Sequence, residues 1–288
     1  MTSETHRRRL QALVIALVAL VIGVALVFGY AGGWGLFAGP AAAAEKLRIA
    51  LPTAPHAALL YIAVGKGYFA DEGLDVTVTL ASTGKAALER LAQGEVDLAS
   101  ASEVPFVISV LNGERLGIVA AVASASNEIE IVARRDRAIA APRDLVGKKV
   151  GATFGTSGEY SLWAFLIRHK LAPDSVTLVD VPPGQMVHEL TSGRVDAVST
   201  PEPIKSAVQA ALADNALSFS ETDAYTGTQV VIGRSEFLKT HPGVIEKLVR
   251  ALLKAEGFSR SEPQQALRLV AAQLQIDARV LEPGWEDF

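Results

Sequence analysis

Leu91-Ala92-Gln93-Gly94-Glu95-Val96-Asp97-Leu98-Ala99-Ser100 is echoed 99 positions later by Leu190-Thr191-Ser192-Gly193-Arg194-Val195-Asp196-Ala197-Val198-Ser199. The shared pattern is Leu-x-x-Gly-x-Val-Asp-x-x-Ser. Each copy reads as a helix end, a Gly at the left-handed capping position, and a short buried strand. The echo extends backward: Ser82-Thr83-Gly84 opens the helix before the first copy, and Pro182-Pro183-Gly184 opens the helix before the second. It also reaches the strands that start each half, around Lys46–Leu51 and Lys149–Phe154. Three features in the same order predict a structural repeat.

Each half alternates strand and helix. In the first, strand Leu47–Leu51 precedes helix Ala57–Val64, then strand Asp75–Leu80, helix Lys85–Gln93 and strand Val96–Ala99. In the second the order is strand Lys149–Phe154, helix Gly158–Lys170, strand Ser175–Asp180, helix Gln185–Ser192 and strand Val195–Ser199. Alternation at these lengths predicts right-handed βαβ units and an α/β fold of two lobes, each a mostly parallel sheet flanked by helices. Tyr160, Trp163, Ile167 and Leu171 recur at three or four residues and are expected in the core. After strand Thr226–Ile232 come two helical stretches, Pro242–Arg260 and Pro263–Gln275, each with Pro near its start. The chain is therefore expected to return to the first lobe. Lobe 1 comprises 45–125 and 227–288, and lobe 2 comprises 126–226. Two hinge crossings fall near Ala123–Ser126 and Tyr225–Thr228.

Working outward, 1–44 read as an export segment. Arg7-Arg8-Arg9 precedes an uncharged apolar run, Leu10–Tyr30, a Gly-rich stretch and Pro40-Ala41-Ala42-Ala43-Ala44. A positive flank, an apolar stretch and small residues make a signal peptide, with Glu45 as the new N-terminus. The run of roughly 20 residues also suits a transmembrane helix retained as an anchor, with the arginines in the cytoplasm. Either way the remainder is expected to be periplasmic or otherwise extracytoplasmic.

Composition narrows the function. The formal net charge is −4 and the only tight basic run is Arg7-Arg8-Arg9, so no nucleic-acid partner is expected. The absence of Cys excludes disulfides, thiolate metal sites, a Cys nucleophile and a lipid anchor on Cys. Five scattered His residues show no metal-ligand spacing, so no metal and no cofactor are expected.

Several motifs stand in a telling order: Gly65-Lys66-Gly67-Tyr68-Phe69-Ala70-Asp71-Glu72-Gly73-Leu74-Asp75-Val76, then Ala92–Ala99, then Asp144-Leu145-Val146-Gly147-Lys148-Lys149-Val150-Gly151. Val195-Asp196-Ala197, Pro201-Glu202-Pro203 and Phe237-Leu238-Lys239-Thr240-His241-Pro242 complete it. In this order the chain, from about Glu45 to Phe288, resembles the periplasmic substrate-binding proteins of ABC importers for nitrate, sulfonates, taurine and thiamine precursors. The resemblance implies a two-lobed, periplasmic-binding-protein-like fold of type II, closing on a small-molecule ligand and docking on an ABC permease. It leaves the ligand open among sulfonates, amines, amino-acid-like compounds and pyrimidines. Two departures are visible. Family members commonly carry Trp-Glu-Pro or Trp-Asp-Pro where this chain has Pro201-Glu202-Pro203, so an aromatic pocket wall is expected to be missing. They also usually continue past the position of Phe288, so a truncation or a lost terminal helix is expected.

In open parallel sheets, ligands bind beyond the carboxyl ends of the strands. That rule selects Thr53 and His56 after the first strand, Ser82, Thr83 and Gly84 after the second, and Ser102 and Glu103 after the third. In the other half it selects Thr156, Ser157 and Gly158, then Thr200 and Glu202. Free N–H groups at the helix starts Thr83-Gly84 and Ser157-Gly158 favour an anion such as a carboxylate or sulfonate, while the hydroxyls also serve as N-caps. Glu103 and Glu202 fall at equivalent points, again 99 apart. Facing each other across a cleft, they predict a ligand with an ammonium or protonated heterocycle, with an acid at its other end; otherwise one or both are solvated rim charges. Asn127 and Asp223, with Glu128 and Tyr225, are hinge-side candidates. Lys66, Lys85, Lys148 and Lys149 read as solvated surface charges.

A transport receptor is therefore expected, with no catalytic residue. A membrane-anchored sensor is the alternative if the leader stays uncut. An enzyme is the third reading, since relatives of the fold make the thiamine pyrimidine or act in menaquinone biosynthesis. Those are expected inside the cell, and the thiamine-pyrimidine relatives use a Cys-rich stretch absent here. No phosphate-binding Gly-x-x-x-x-Gly-Lys-Ser/Thr loop is present, so any ATPase is another chain.

Overall fold

The computed structural model describes residues 43–220, 225–282 and 285. The export segment therefore lies outside the described residues, apart from Ala43 and Ala44. Among the described residues no helix is long and apolar enough to cross a membrane.

The chain forms strand β1 (Glu45–Pro52), a tight turn at Pro55–Ala57, and helices α1 (Ala58–Gly65) and α2 (Tyr68–Asp71). Strand β2 (Leu74–Ala81), helix α3 (Gly84–Ala92), strand β3 (Leu98–Ser102), helix α4 (Glu103–Leu111) and strand β4 (Leu116–Ala125) follow. The second run is β5 (Ile129–Arg134), β6 (Lys149–Ala152), α5 (Ser157–Arg168), β7 (Thr177–Asp180), α6 (Met186–Thr191), β8 (Ala197–Pro201), α7 (Ile204–Leu212) and β9 (Ala216–Phe219). The chain ends with β10 (Gly227–Arg234), α8 (Ser235–Thr240), α9 (Pro242–Ser261), α10 (Pro263–Leu274) and α11 (Ala278–Leu281).

Among the described residues, ten strands make two sheets in the orders β2-β1-β3-β10-β4 and β7-β6-β8-β5-β9. β1 pairs in parallel with β2 and β3, whereas β10 lies antiparallel between β3 and β4. The second sheet repeats the scheme: β6 is parallel to β7 and β8, and β5 lies antiparallel between β8 and β9. The sheets are thus mixed. The reversed strand in each is the one that follows a passage between sheets, β5 after β4 and β10 after β9. Strand–helix alternation says nothing about such a strand, because it enters from the other lobe rather than by a crossover helix.

Both faces of each sheet are covered. Leu47, Ile49 and Leu51 alternate along β1 onto one face, where they meet α1, Leu248 and Leu252 of α9, and Leu267 and Val270 of α10. Ala50 points to the other face, with Leu88 and Leu91 of α3. Ile131 and Val150 pack on α5, and Val132 and Val198 pack on α6 and α7.

The echo has a backbone explanation. Gly94 and Gly193 hold φ of +76° and +77°, and each donates its N–H three residues back, to Leu91 O and Leu190 O, both at 3.1 Å. These are the left-handed helix stops that favour Gly. Asp97 N–H donates to Arg48 O at 2.9 Å, and its carboxylate accepts Arg48 N–H at 2.9 Å. Asp196 repeats the clasp on Lys149, at 2.8 Å and 2.9 Å. Each motif therefore stops a helix and fastens the next strand onto the central one.

Helix α5 departs from its expected burial. Its core face is Leu162, Phe165 and Leu166, while Tyr160 is 50% and Ile167 64% exposed. Apolar residues occupy both faces of this helix, so spacing alone cannot choose the buried one.

Carboxylates held by donors make the fold acid-sensitive. Burial opposes ionisation of Asp97, yet hydrogen bonds from Arg48 hold it below the ordinary carboxylate range. Arg134 and then Asn215 hold Asp136 at about 2. Backbone N–H groups of Ala140 and Ala141 hold Asp144 low. A depressed pKa contributes stability that is present above the unfolded value of ~3.9 and is lost as pH falls through the folded value. Stability is expected to fall between about pH 4 and pH 2. Asp97→Asn should cost about 1 kcal/mol at pH 7 and little at pH 2, as read by urea unfolding; an equal cost at both would contradict the clasp.

Candidate functional site

A cavity opens where the strand ends of the two sheets face each other. Thr53 lies beyond β1, Ser82 and Thr83 beyond β2, and Ser102 ends β3. From the other side come Thr156, Ser157 and Gly158 beyond β6, and Thr200 and Glu202 at the end of β8. Gly84 and His56 complete the expected residues that line it. The cavity is small, about 80 Å³. Thr153, Met186, Ser199 and Pro105 also line it and were not selected by the strand-end rule.

Two helices begin at this cavity. Thr83 caps α3 by accepting Ala86 N–H at 3.0 Å, and the first helical bond is Ala87 N–H to Thr83 O. Thr156 caps α5 by accepting Gly158 N–H at 3.3 Å, and the first helical bond is Tyr160 N–H to Thr156 O. The amides of Gly84, Lys85 and Ser157 lie ahead of those bonds and have no intrahelical acceptor. The two positive helix ends thus come from different lobes and aim at one small space.

Close packing sets these helix starts. A Cβ on Gly84 would stand 2.7 Å from Ala101 Cα, and one on Gly158 would stand 3.0 Å from Ser199 O. Only Gly lets each helix start so near the neighbouring strand. Ser199, from the echo, donates its hydroxyl to Gly158 O at 2.7 Å.

The lobes touch across the cavity. Ser102 Oγ and Ser157 Oγ are 3.3 Å apart. Lys85 of α3 reaches over to donate to Phe154 O at 3.1 Å, with its stem against Gly155. Lys85 is exposed, as expected of a solvated charge, and in addition ties the lobes, because it is the second residue of a helix that starts at the gap. His56 Nδ1 sits 2.7 Å from Glu128 Oε1, beside the first passage between sheets, without an aligned hydrogen bond.

Two buried side-chain atoms of the lining have no hydrogen-bond partner among the described residues, His56 Nδ1 and Thr200 Oγ1. Thr200 is 1% exposed. A buried hydroxyl left so costs about 1–3 kcal/mol.

Glu103 and Glu202 do not form the expected opposed pair. They start equivalent segments, after β3 and β8, but line different hollows. Glu202 is 6% exposed and accepts from Ser206 Oγ at 2.9 Å and from Ser206 N–H at 3.2 Å. Lys205 Nζ stands 3.2 Å from it, 3.6 Å from Glu130, and donates to Asn127 O at 3.2 Å. Glu103 accepts the Tyr225 hydroxyl and Thr228 N–H. Burial, then the hydrogen bond to Glu103, push the Tyr225 phenol far up, so it stays a donor. Both carboxylates are met inside the protein, which removes the electrostatic reason for a cation between them. Asn127 contributes its backbone at the passage between sheets rather than to the lining, and Asp223 lies outside the described residues. Among the described residues no cluster of His, Asp and Glu is placed to hold a metal ion.

A family model described as NMT1/THI5 like matches residues 54–266. A binding protein of Brucella abortus is 25% identical over 229 residues, which cover 77% of this chain and 69% of the relative. The taurine-binding periplasmic protein of Escherichia coli is 23% identical over 177 residues, covering 60% of this chain and 54% of that protein. Among solved structures, the alkanesulfonate-binding protein SsuA of Xanthomonas axonopodis pv. citri, bound to MOPS, shares the fold. Its TM-score is 0.74 at 18% identity, with 86% of this chain and 85% of that chain covered.

Proposed function

The chain belongs to the NMT1/THI5-like family, and from that premise we propose that it is an extracytoplasmic solute-binding protein, not an enzyme. It captures a small organic acid between its lobes and delivers it to an ABC importer. The observation that carries this reading is the meeting of two helix N-termini, one from each lobe, at a cavity lined largely by small hydroxyl residues, whose Glu202 carboxylate is already paired with Lys205. An acid group there accepts from amides that have no helical acceptor, and the helix ends favour its charge. Because each lobe supplies one helix, the ligand binds the closed arrangement better than the open one, and so drives closure. The Thr200 hydroxyl donates to the ligand and gains the partner it lacks. The relatives' taurine and alkanesulfonate ligands support a sulfonate or carboxylate head. The uncharged run Leu10–Tyr30 supports a membrane-tethered form of the same receptor; N-terminal sequencing of the mature protein decides between tethered and free.

Thermal unfolding tests this. At about 100 times Kd, a bound acid adds about 2.7 kcal/mol and is expected to raise the melting temperature by roughly 5–10 °C. Methanesulfonate, taurine and acetate are the probes. Thr200→Val should weaken binding about tenfold while leaving the free protein as stable or more so, because the orphaned hydroxyl is gone. Stabilisation by methylammonium and by none of the acids would overturn the reading.

A further inference from the structure

Beside the cavity lies a second hollow of about 480 Å³ that the acid-binding reading does not use. Both lobes wall it: Val107 and Ile108 of α4 on one side, Tyr160 and Trp163 of α5 on the other, with Tyr225 between. Tyr160 stands edge-on to Tyr225, ring centroids 5.2 Å apart. Val107 is 47% exposed despite being apolar, and half of Tyr160 is open. Exposed apolar side chains gathered in a concavity mark a binding surface.

The two hollows adjoin each other. Thr156, the cap of α5, lines both. Ser102 and Ser157, whose hydroxyls touch across the cavity, are each bonded directly to a residue of the second hollow, Glu103 and Thr156. The second hollow is the larger of the two, with more room than an acid group needs. It holds no cationic side chain. Its two carboxylates are already engaged, Glu103 by Tyr225 and Thr228, and Glu159 by Gly155 N–H at 2.7 Å. Nothing there would hold a second acid.

Resting on the reading of the cavity as an acid site, we propose that this annex takes the apolar body of the same ligand, which makes the ligand class an aromatic sulfonate or carboxylate. The acid head sits between the helix ends, and the ring lies among Tyr160, Trp163 and Val107, where edge-on and offset ring contacts are available. A ligand of this shape contacts α4 and α5 together and so adds to lobe closure.

The test is calorimetric titration of the full chain with two matched pairs, methanesulfonate with benzenesulfonate and acetate with benzoate. The aromatic member is expected to bind at least tenfold tighter in each pair. Tyr160→Ala and Val107→Asp, which alter the annex from opposite lobes, should each bring the ratio within about threefold. A ratio near one in the unaltered protein, or a ratio that survives both substitutions, overturns the annex alone provided the small acids bind. Failure of all four probes overturns the acid site as well.

Discussion

Ser157→Asp is expected to abolish acid binding while leaving the fold intact. Ser157 is the first residue of α5, and its hydroxyl meets that of Ser102 across the cavity. A carboxylate there suits the positive end of the helix and adds about 0.3–1 kcal/mol of stability. The same carboxylate repels an acid group held by the amides. At ~4 Å and an effective dielectric near 20, two like charges cost about 4 kcal/mol, roughly a thousandfold in affinity. Ser157→Asn, without the charge, is expected to lose no more than about tenfold. Opposite signs for stability and affinity separate an electrostatic acid site from general damage to the cleft. Titration with methanesulfonate and a melting curve check both; unchanged affinity in the Asp variant would contradict the account.

Lys205→Met should carry the largest cost in stability. Lys205 lies between Glu202 and Glu130, and all three side chains are largely buried. Met keeps the length of the stem and removes the charge. Two carboxylates then remain without their cation, Glu202 at the cavity and Glu130 behind it on β5, and breaking a buried pair in this way costs about 3–5 kcal/mol. For a domain of this size that is a fall of roughly 6–20 °C in melting temperature. Glu202→Gln in the Lys205→Met background should recover much of the loss, because the uncompensated charge is the cause. A loss below about 1 kcal/mol, or no recovery in the double variant, would show that the three groups do not act together.

The repeat was legible because its residues do local backbone work. Gly94 and Gly193 stop helices in the same left-handed conformation, and Asp97 and Asp196 clasp equivalent strands. Such roles depend on a few neighbouring residues, so they survive as a pattern. The strand-end rule then reached Thr53, Thr83, Ser157 and Thr200, because a parallel sheet directs those loops to one edge.

What depended on distant parts of the chain was not legible. Glu103 is answered by Tyr225 and Thr228, 122 and 125 positions away, and no local spacing announces that. Glu202 is met by Lys205 three positions on, a signal that was available in Glu202-Pro203-Ile204-Lys205 and was overlooked. The reversed strands β5 and β10 follow from passages between sheets, not from hydrophobic period. Tyr160 and Trp163 carried the spacing of a core stripe, yet Tyr160 borders the annex, because α5 is apolar on more than one face. The stretch Val104–Leu111, apolar except for Ser109, was a usable hint of an open apolar wall.

The most direct measurement is an amide-resolved magnetic-resonance titration of the protein with methanesulfonate. The account predicts saturable shifts of the Gly84, Lys85 and Ser157 amides, from both lobes, along a single binding curve, and no such response to methylammonium. Shifts confined to one lobe, or a response to the amine and not to the acid, would contradict it.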